Sequence, residues 1–185
     1  MSRKKIGLPI IIGINYLHFK CMMKIDFPEL LLREVTQSLK EAKARVAIAE
    51  SVTAGFLQLA CSQMEGATEI FAGGITTYTP DAKIEILGVD AKEAEKCDCV
   101  SPKITEEMAV SVSNLFNTTW GIATTGYATS VPESTGRLFA FISIAYKTKI
   151  VSTEKIELRS NIKMEEAQFI YTTKALENLN RLLKN

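Results

Sequence analysis

Hydrophobic and polar positions in this chain switch repeatedly between a helical and a strand period. In Asp26–Ala44, Leu30, Leu31, Val35 and Leu39 recur on one helical face. Asp26 can cap that helix and Pro28 suits its first turn. Val46–Ala49 is a short apolar run between Arg45 and Glu50, the pattern of a buried strand. Thr53–Met64 returns to helical spacing through Phe56, Leu57, Ala60 and Cys61, and Glu65–Thr68 reads as a turn. Ile70–Thr77 is a second strand, in which Gly73 and Gly74 point to a bulge or a close backbone approach.

Thr79-Pro80 offers a capping hydroxyl and a proline at the first helical position, and Gly88 ends the helix that follows. Ala91–Val100 is weakly patterned and reads as a loop with a helical turn. Ser101-Pro102 opens a helix to about Phe116 along Ile104, Met108, Val112 and Leu115. Trp120–Thr124 is a third buried strand, and a polar loop runs from Gly126 to Gly136. Leu138–Tyr146 and Lys149–Leu158 are apolar runs joined by Lys147-Thr148, a hairpin. Asn161–Leu182 is a closing helix. Strands alternating with helices, then a hairpin, predict an α/β fold with a mixed sheet covered on both faces. No repeat or linker interrupts it, so residues 24–185 read as a single domain.

Composition narrows the function classes. A chain of 185 residues, 46% hydrophobic, can bury a core without staples. With 22 basic against 21 acidic residues and no basic stripe, nothing favours a nucleic acid partner. Cys97-Asp98-Cys99 is too tight for a metal knuckle and the only histidine is His18, so no metal is expected and the cysteines, with Cys21 and Cys61, read as free thiols. Residues 1–23 stand apart: Arg3, Lys4 and Lys5 precede the short apolar IGLPIIIGINYL, too short to span a membrane and lacking a small-x-small cleavage site. They read as an N-terminal extension. The expected location is cytoplasmic, without stable membrane association.

The chemistry gathers in Val46–Tyr78. A strand that runs through a small-residue turn into a helix presents backbone N–H groups and a hydroxyl at one end of a parallel sheet, the usual ligand position. Ser51 is the candidate nucleophile. It has no histidine partner in the well-patterned chain and no G-x-S-x-G elbow, so its base must be a carboxylate or a lysine of lowered pKa. Lys83, one turn into the helix after Thr79, is the best lysine, and Tyr78 ends the preceding strand. Ser51 as a mere helix cap and Lys83 as a solvated surface residue is the bland alternative. Thr125 and Gly126 should reach the same sheet edge, as a ligand contact or an ordinary polar turn. No P-loop or dinucleotide fingerprint is present.

The motifs resemble the C-terminal domain of the competence/damage-inducible CinA family, whose enzymatic members are nicotinamide-nucleotide amidases. The family's A-E-S-C-T-G-G is matched by Ala49-Glu50-Ser51-Val52-Thr53-Ala54-Gly55. Its F-x-x-G-x-V-T-Y-S-N-E-A-K-x-x-L-G-V is matched by FAGGITTYTPDAKIEILGV, Phe71 to Val89. Val100-Ser101, Glu106–Ala109, Thr125-Gly126-Tyr127-Ala128 and Gly136 follow in the family's order, over about 28–183. The resemblance implies a three-layer α/β/α fold with a mostly parallel sheet, and hydrolysis of the carboxamide of nicotinamide mononucleotide without metal or cofactor. It implies Ser51 as nucleophile, Lys83 as base and Tyr78 as its relay. Glu50, Thr53, Gly55, Thr125 and Gly126 are implied to bind substrate, and a homodimer is implied.

Departures from the pattern bear on substrate. Val52 replaces a cysteine, and Ala54 replaces a glycine, adding a methyl where the backbone should approach the ligand. Pro80 and Asp81 replace asparagine and glutamate, and Thr129-Ser130 replaces glycine–proline. Leu158–Met164 lacks the family's G-D-R-x-x-[IV]-R before the last helix, so an acid and an arginine are lost. Amidase action on the nucleotide, a non-catalytic binding domain, and hydrolysis of another small amide remain open on sequence.

Overall fold

The computed structural model describes residues 25–185. The expectation for residues 1–23, with His18 and Cys21, lies outside them. In chain order the elements are α1 (Glu29–Glu41), β1 (Val46–Glu50), α2 (Phe56–Ser62), α3 (Ala67–Ile70) and β2 (Phe71–Thr76). Next come α4 (Pro80–Leu87), α5 (Ala91–Lys96), α6 (Pro102–Leu115) and β3 (Trp120–Tyr127). A short 3-10 turn (Pro132–Ser134) leads to β4 (Leu138–Tyr146), β5 (Lys149–Leu158) and α7 (Met164–Leu183).

The sheet order is β2-β1-β3-β4-β5. β1 pairs in parallel with β2 and β3, whereas β3–β4 and β4–β5 are antiparallel, so only β4 runs against the other strands. Strand alternation sorts β1 between two cores. Val46 and Ile48 pack with Val35 and Leu39 of α1, Leu57 of α2 and Leu176 of α7. Ala47 and Ala49 pack on the other face with Leu87 of α4 and Met108 and Val112 of α6. The result is the three-layer α/β/α arrangement. Gly121 permits the close approach of α6 to β3, since a Cβ there would lie 2.1 Å from the carbonyl oxygen of Ala109.

Several boundaries differ from the sequence reading, among them the helix Ala67–Ile70, which the sequence reading makes a turn and the start of a strand. The first helix begins at Glu29, with Pro28 itself at the cap position. α2 begins at Phe56 and not at Thr53, because Ala54 (φ 51°) and Gly55 (φ 105°) turn the chain through left-handed backbone first. β3 continues three residues past Thr124, because β4 supplies partners for Thr125, Gly126 and Tyr127 in Phe141, Ala140 and Phe139. The last helix begins at Met164. The hairpin between β4 and β5 turns at Lys147 (φ 47°) and Thr148 (φ 64°), both left-handed. Among the described residues no helix is long and apolar enough to cross a membrane.

Candidate active site

Ser51 lies just beyond the carboxyl ends of the three parallel strands. Its backbone N–H donates to Thr124 O (3.0 Å), extending the β1–β3 ladder, while Thr77 N–H donates to Glu50 O (2.9 Å) on the β2 side. The preceding residue holds the turn together from inside. Glu50 is fully buried, and its carboxylate accepts from the backbone N–H groups of Gly55 (3.0 Å), Leu57 (3.1 Å) and Gln58 (2.8 Å). It also accepts from the Thr53 hydroxyl, whose oxygen lies 2.8 Å from that of Thr124. Having spent its hydrogen on Glu50, Thr53 must accept from Thr124.

The N–H groups expected to face a ligand are thus already occupied by the protein's own carboxylate. Glu50, Thr53 and Gly55, expected from the sequence to touch substrate, are not among the residues that line the cavity described next. Ala54 is solvent-exposed and is not among the residues that line the cavity.

The wall encloses a cavity of about 260 Å³ that brings together Ser51, Tyr78, Lys83, Thr125 and Gly126. Ser51 is only 7% exposed, and its Oγ makes no hydrogen bond to any described residue. Lys83 is 3% exposed and sits in the first turn of α4, whose cap is the Thr79 hydroxyl accepting from Ala82 N–H (3.2 Å). Its Nζ donates to the carbonyl of Tyr78 (3.3 Å). Burial holds the Lys83 amine below the ordinary lysine value, against the pull of the Cys99 thiol and the Asp98 carboxylate. Cys99 in turn is pushed up by burial, with Lys83 opposing. Tyr78 is exposed at the mouth.

Thr125 and Gly126 have their own structural duties. The Thr125 hydroxyl donates to Cys99 O (3.0 Å), tying β3 to the loop after α5. A Cβ at Gly126 would lie 2.3 Å from the carbonyl oxygen of Phe139, so glycine is demanded there by β4.

The cavity is also lined by residues that sequence reasoning did not assign to the site, among them Asp98, Tyr127, Glu133 and Gln168. Tyr127 OH donates to Asp98 Oδ2 (2.9 Å), and burial, that bond and the nearby Glu133 carboxylate all raise the phenol's pKa. Gln168 Nε2 donates to Val52 O (3.2 Å), anchoring the turn after β1 to α7. The sequence signals for these residues are the polar tripeptide Cys97-Asp98-Cys99 and the Tyr127 of Thr125-Gly126-Tyr127-Ala128. Among the described residues no three His, Cys, Asp or Glu side chains gather as a metal site would need.

Ser51, the buried Lys83 amine of lowered pKa and the exposed Tyr78 phenol thus border one cavity.

The family model for the CinA C-terminal domain matches residues 29–183. A CinA-like protein of Prochlorococcus marinus is 32% identical over 168 residues, covering 89% of this chain and 38% of that protein. One from Synechocystis is 41% identical over 90 residues, covering 49% of this chain and 22% of its own length. The chain therefore spans well under half of these curated relatives. Among solved structures, a CinA superfamily protein from Escherichia coli superposes with a TM-score of 0.76 at 25% identity, covering 94% of this chain and 100% of that one. A superfamily member from Klebsiella pneumoniae has the same fold, with a TM-score of 0.78 at 21% identity over 86% of this chain and 99% of that one. Residue order, fold and family match agree: this chain belongs to the CinA C-terminal domain family.

Proposed function

We propose that this chain is an amidase that hydrolyses the carboxamide of a pyridine nucleotide, with nicotinamide mononucleotide as the first compound to test. One observation carries the reading: the free hydroxyl of a nearly buried Ser51 and the buried Lys83 amine line one cavity. Ser51 Oγ attacks the amide carbon while neutral Lys83 takes the hydroxyl proton. The C–N bond breaks, Lys83 returns the proton to the leaving nitrogen, and ammonia departs. Water then attacks the ester, the C–Oγ bond breaks, and nicotinate mononucleotide and Ser51 are released. Tyr78, at the mouth, orients the amide or relays the proton. Lys83 suits the base role because burial favours its neutral form.

A second reading, hydrolysis of a small amide without a phosphate, is favoured by the cavity wall, in which Lys83 is the only cationic side chain among the described residues.

The test is ammonia release from nicotinamide mononucleotide by purified protein. The expected result is turnover that Ser51→Ala lowers by about 10³-fold or more. Undiminished release by Ser51→Ala would overturn the serine mechanism, and a silent wild-type protein would overturn the nucleotide amidase reading.

A further inference from the structure

At the carboxyl end of the sheet, one buried hydroxyl has no task in the steps above. The Thr76 hydroxyl accepts from Gln58 Nε2 of α2 (3.1 Å), so strand alternation turns Thr77 to the other face, where Ile75 packs with residues of α4 and α6. Glu50 pairs with Thr76 and Thr124, and Thr77 N–H donates to Glu50 O (2.9 Å), so the same register sets Ser51 between Thr77 and Thr125. The Thr125 hydroxyl is committed to Cys99 O (3.0 Å). Thr77 is fully buried, and its Oγ1 has no hydrogen-bond partner among the described residues. A buried hydroxyl left in that state costs stability, and a valine of the same shape would remove the cost. Lys83 lies beside it: its Nζ donates to the carbonyl of Tyr78, the residue after Thr77 (3.3 Å). An ammonium at that nitrogen has three N–H groups to satisfy, and an unmet donor costs more on a charged group than on a neutral one.

We propose that Thr77 is a positioning residue for the base: as Lys83 takes the Ser51 proton, the Thr77 hydroxyl oxygen accepts an N–H of the newly formed ammonium. This rests on the amidase reading above. In that step the Oγ–H bond of Ser51 breaks, an Nζ–H bond forms, and Thr77 keeps its own proton. One N–H of the ammonium then faces the substrate, for return to the leaving nitrogen, one stays on Tyr78 O, and one goes to Thr77 Oγ1. The flexible four-carbon stem of a lysine allows the swing. Because the bond forms with the charge, it lowers the barrier without tightening the binding of substrate. Besides burial, the groups that act on Lys83 are the Cys99 thiol and the Asp98 carboxylate, both from the loop after α5, and substitutions at Thr77 leave both in place.

The experiment compares full-chain Thr77→Val, which keeps the shape and removes the hydroxyl, with Thr77→Ser, which keeps the hydroxyl. The first readout needs no turnover. The Lys83 amine is titrated by NMR on protein with labelled lysine, its signal identified by its loss in Lys83→Met. Thr77→Val should lower the titration midpoint by about 1 pH unit, because an acceptor for the charged form is gone, and Thr77→Ser should leave it within about 0.3. The second readout is ammonia release from nicotinamide mononucleotide. Thr77→Val should lower kcat by about 10- to 100-fold with KM within about twofold, and the acid limb of its pH profile should move down with Lys83. Thr77→Ser should keep kcat within about fivefold of the parent. In thermal melting Thr77→Val should be at least as stable as the parent, the reverse of what a structural hydrogen bond at Thr77 would give. An unmoved Lys83 midpoint in Thr77→Val would overturn the inference whatever the activity does. So would a lowered melting temperature, an effect on KM alone, or a serine variant as impaired as the valine one. A lowered Lys83 midpoint in Thr77→Val, with no ammonia released by the parent protein, would sustain the contact between Thr77 and Lys83 and sink the amidase reading alone.

Discussion

Replacing Glu50 should destabilise the fold in a graded way that follows its hydrogen bonds. Its carboxylate is fully buried and serves three backbone N–H groups and one hydroxyl. Glu50→Ala leaves those three N–H donors without a partner. Each unmet buried donor costs about 1–3 kcal/mol, and water entering the vacated space recovers part of it, so a net loss of about 4 kcal/mol is expected. For a domain of this size 1 kcal/mol shifts the midpoint by about 2–4 °C, so the loss should appear as about 10 °C. Glu50→Gln keeps one acceptor oxygen. Set toward Gly55 and Leu57, it still serves them, and only the Gln58 N–H then faces an amide NH₂. That single mismatch should cost about 1–2 kcal/mol, or about 4 °C. The assay is thermal melting by circular dichroism, checked by urea unfolding with an unchanged slope. If Glu50→Ala melts within about 2 °C of the parent, or if glutamine costs as much as alanine, the carboxylate does not hold the turn as described.

Other outcomes follow from the same geometry. Lys83→Met should abolish ammonia release yet raise the melting temperature. The sign comes from a folded pKa below the unfolded one: the unfolded chain binds more protons, so the parent gains stability as pH rises from the depressed value to about 10.4. The methionine advantage should therefore shrink across that window, and a pH-independent difference would refute it. Gly121→Ala should destabilise by about 1–3 kcal/mol through its clash with the Ala109 carbonyl, and an unchanged urea midpoint would show that α6 can yield. The unpaired edge of β5 leads us to expect a homodimer, and sedimentation as a monomer at tens of micromolar would contradict it.

Most elements were legible because period and punctuation agreed. Thr79-Pro80, Gly88 and Ser101-Pro102 mark helix ends by local chemistry, and all three do so in the structure. Ser51, Tyr78 and Lys83 could be placed together because parallel strands bring the segments that follow β1 and β2 to one edge. The misjudged parts depend on partners distant in sequence or on backbone geometry with no strong local sign. β3 outruns its apolar core because β4 pairs with Thr125–Tyr127, and no pattern within β3 announces that. α2 starts late because Ala54, an ordinary residue by propensity, takes left-handed backbone while Glu50 reaches forward to the helix N–H groups. Asp98 reaches the cavity from a loop where Asp98 and Cys99 both have positive φ (51° and 57°), a conformation that an Asp-Cys pair does not advertise.

The hairpin turn at Lys147-Thr148 bears on the order in which the chain folds. Two-residue turns with both φ angles positive favour Asn-Gly, and here neither residue has that ease. The turn therefore gives β4 and β5 little help in finding each other early. β4 must take its register from β3, and β5 can zip up only afterwards. That postpones closure of the sheet until contacts between segments far apart in the chain exist, the circumstance that slows folding. Asn-Gly at positions 147 and 148 would let the hairpin form by itself and advance it to an early event.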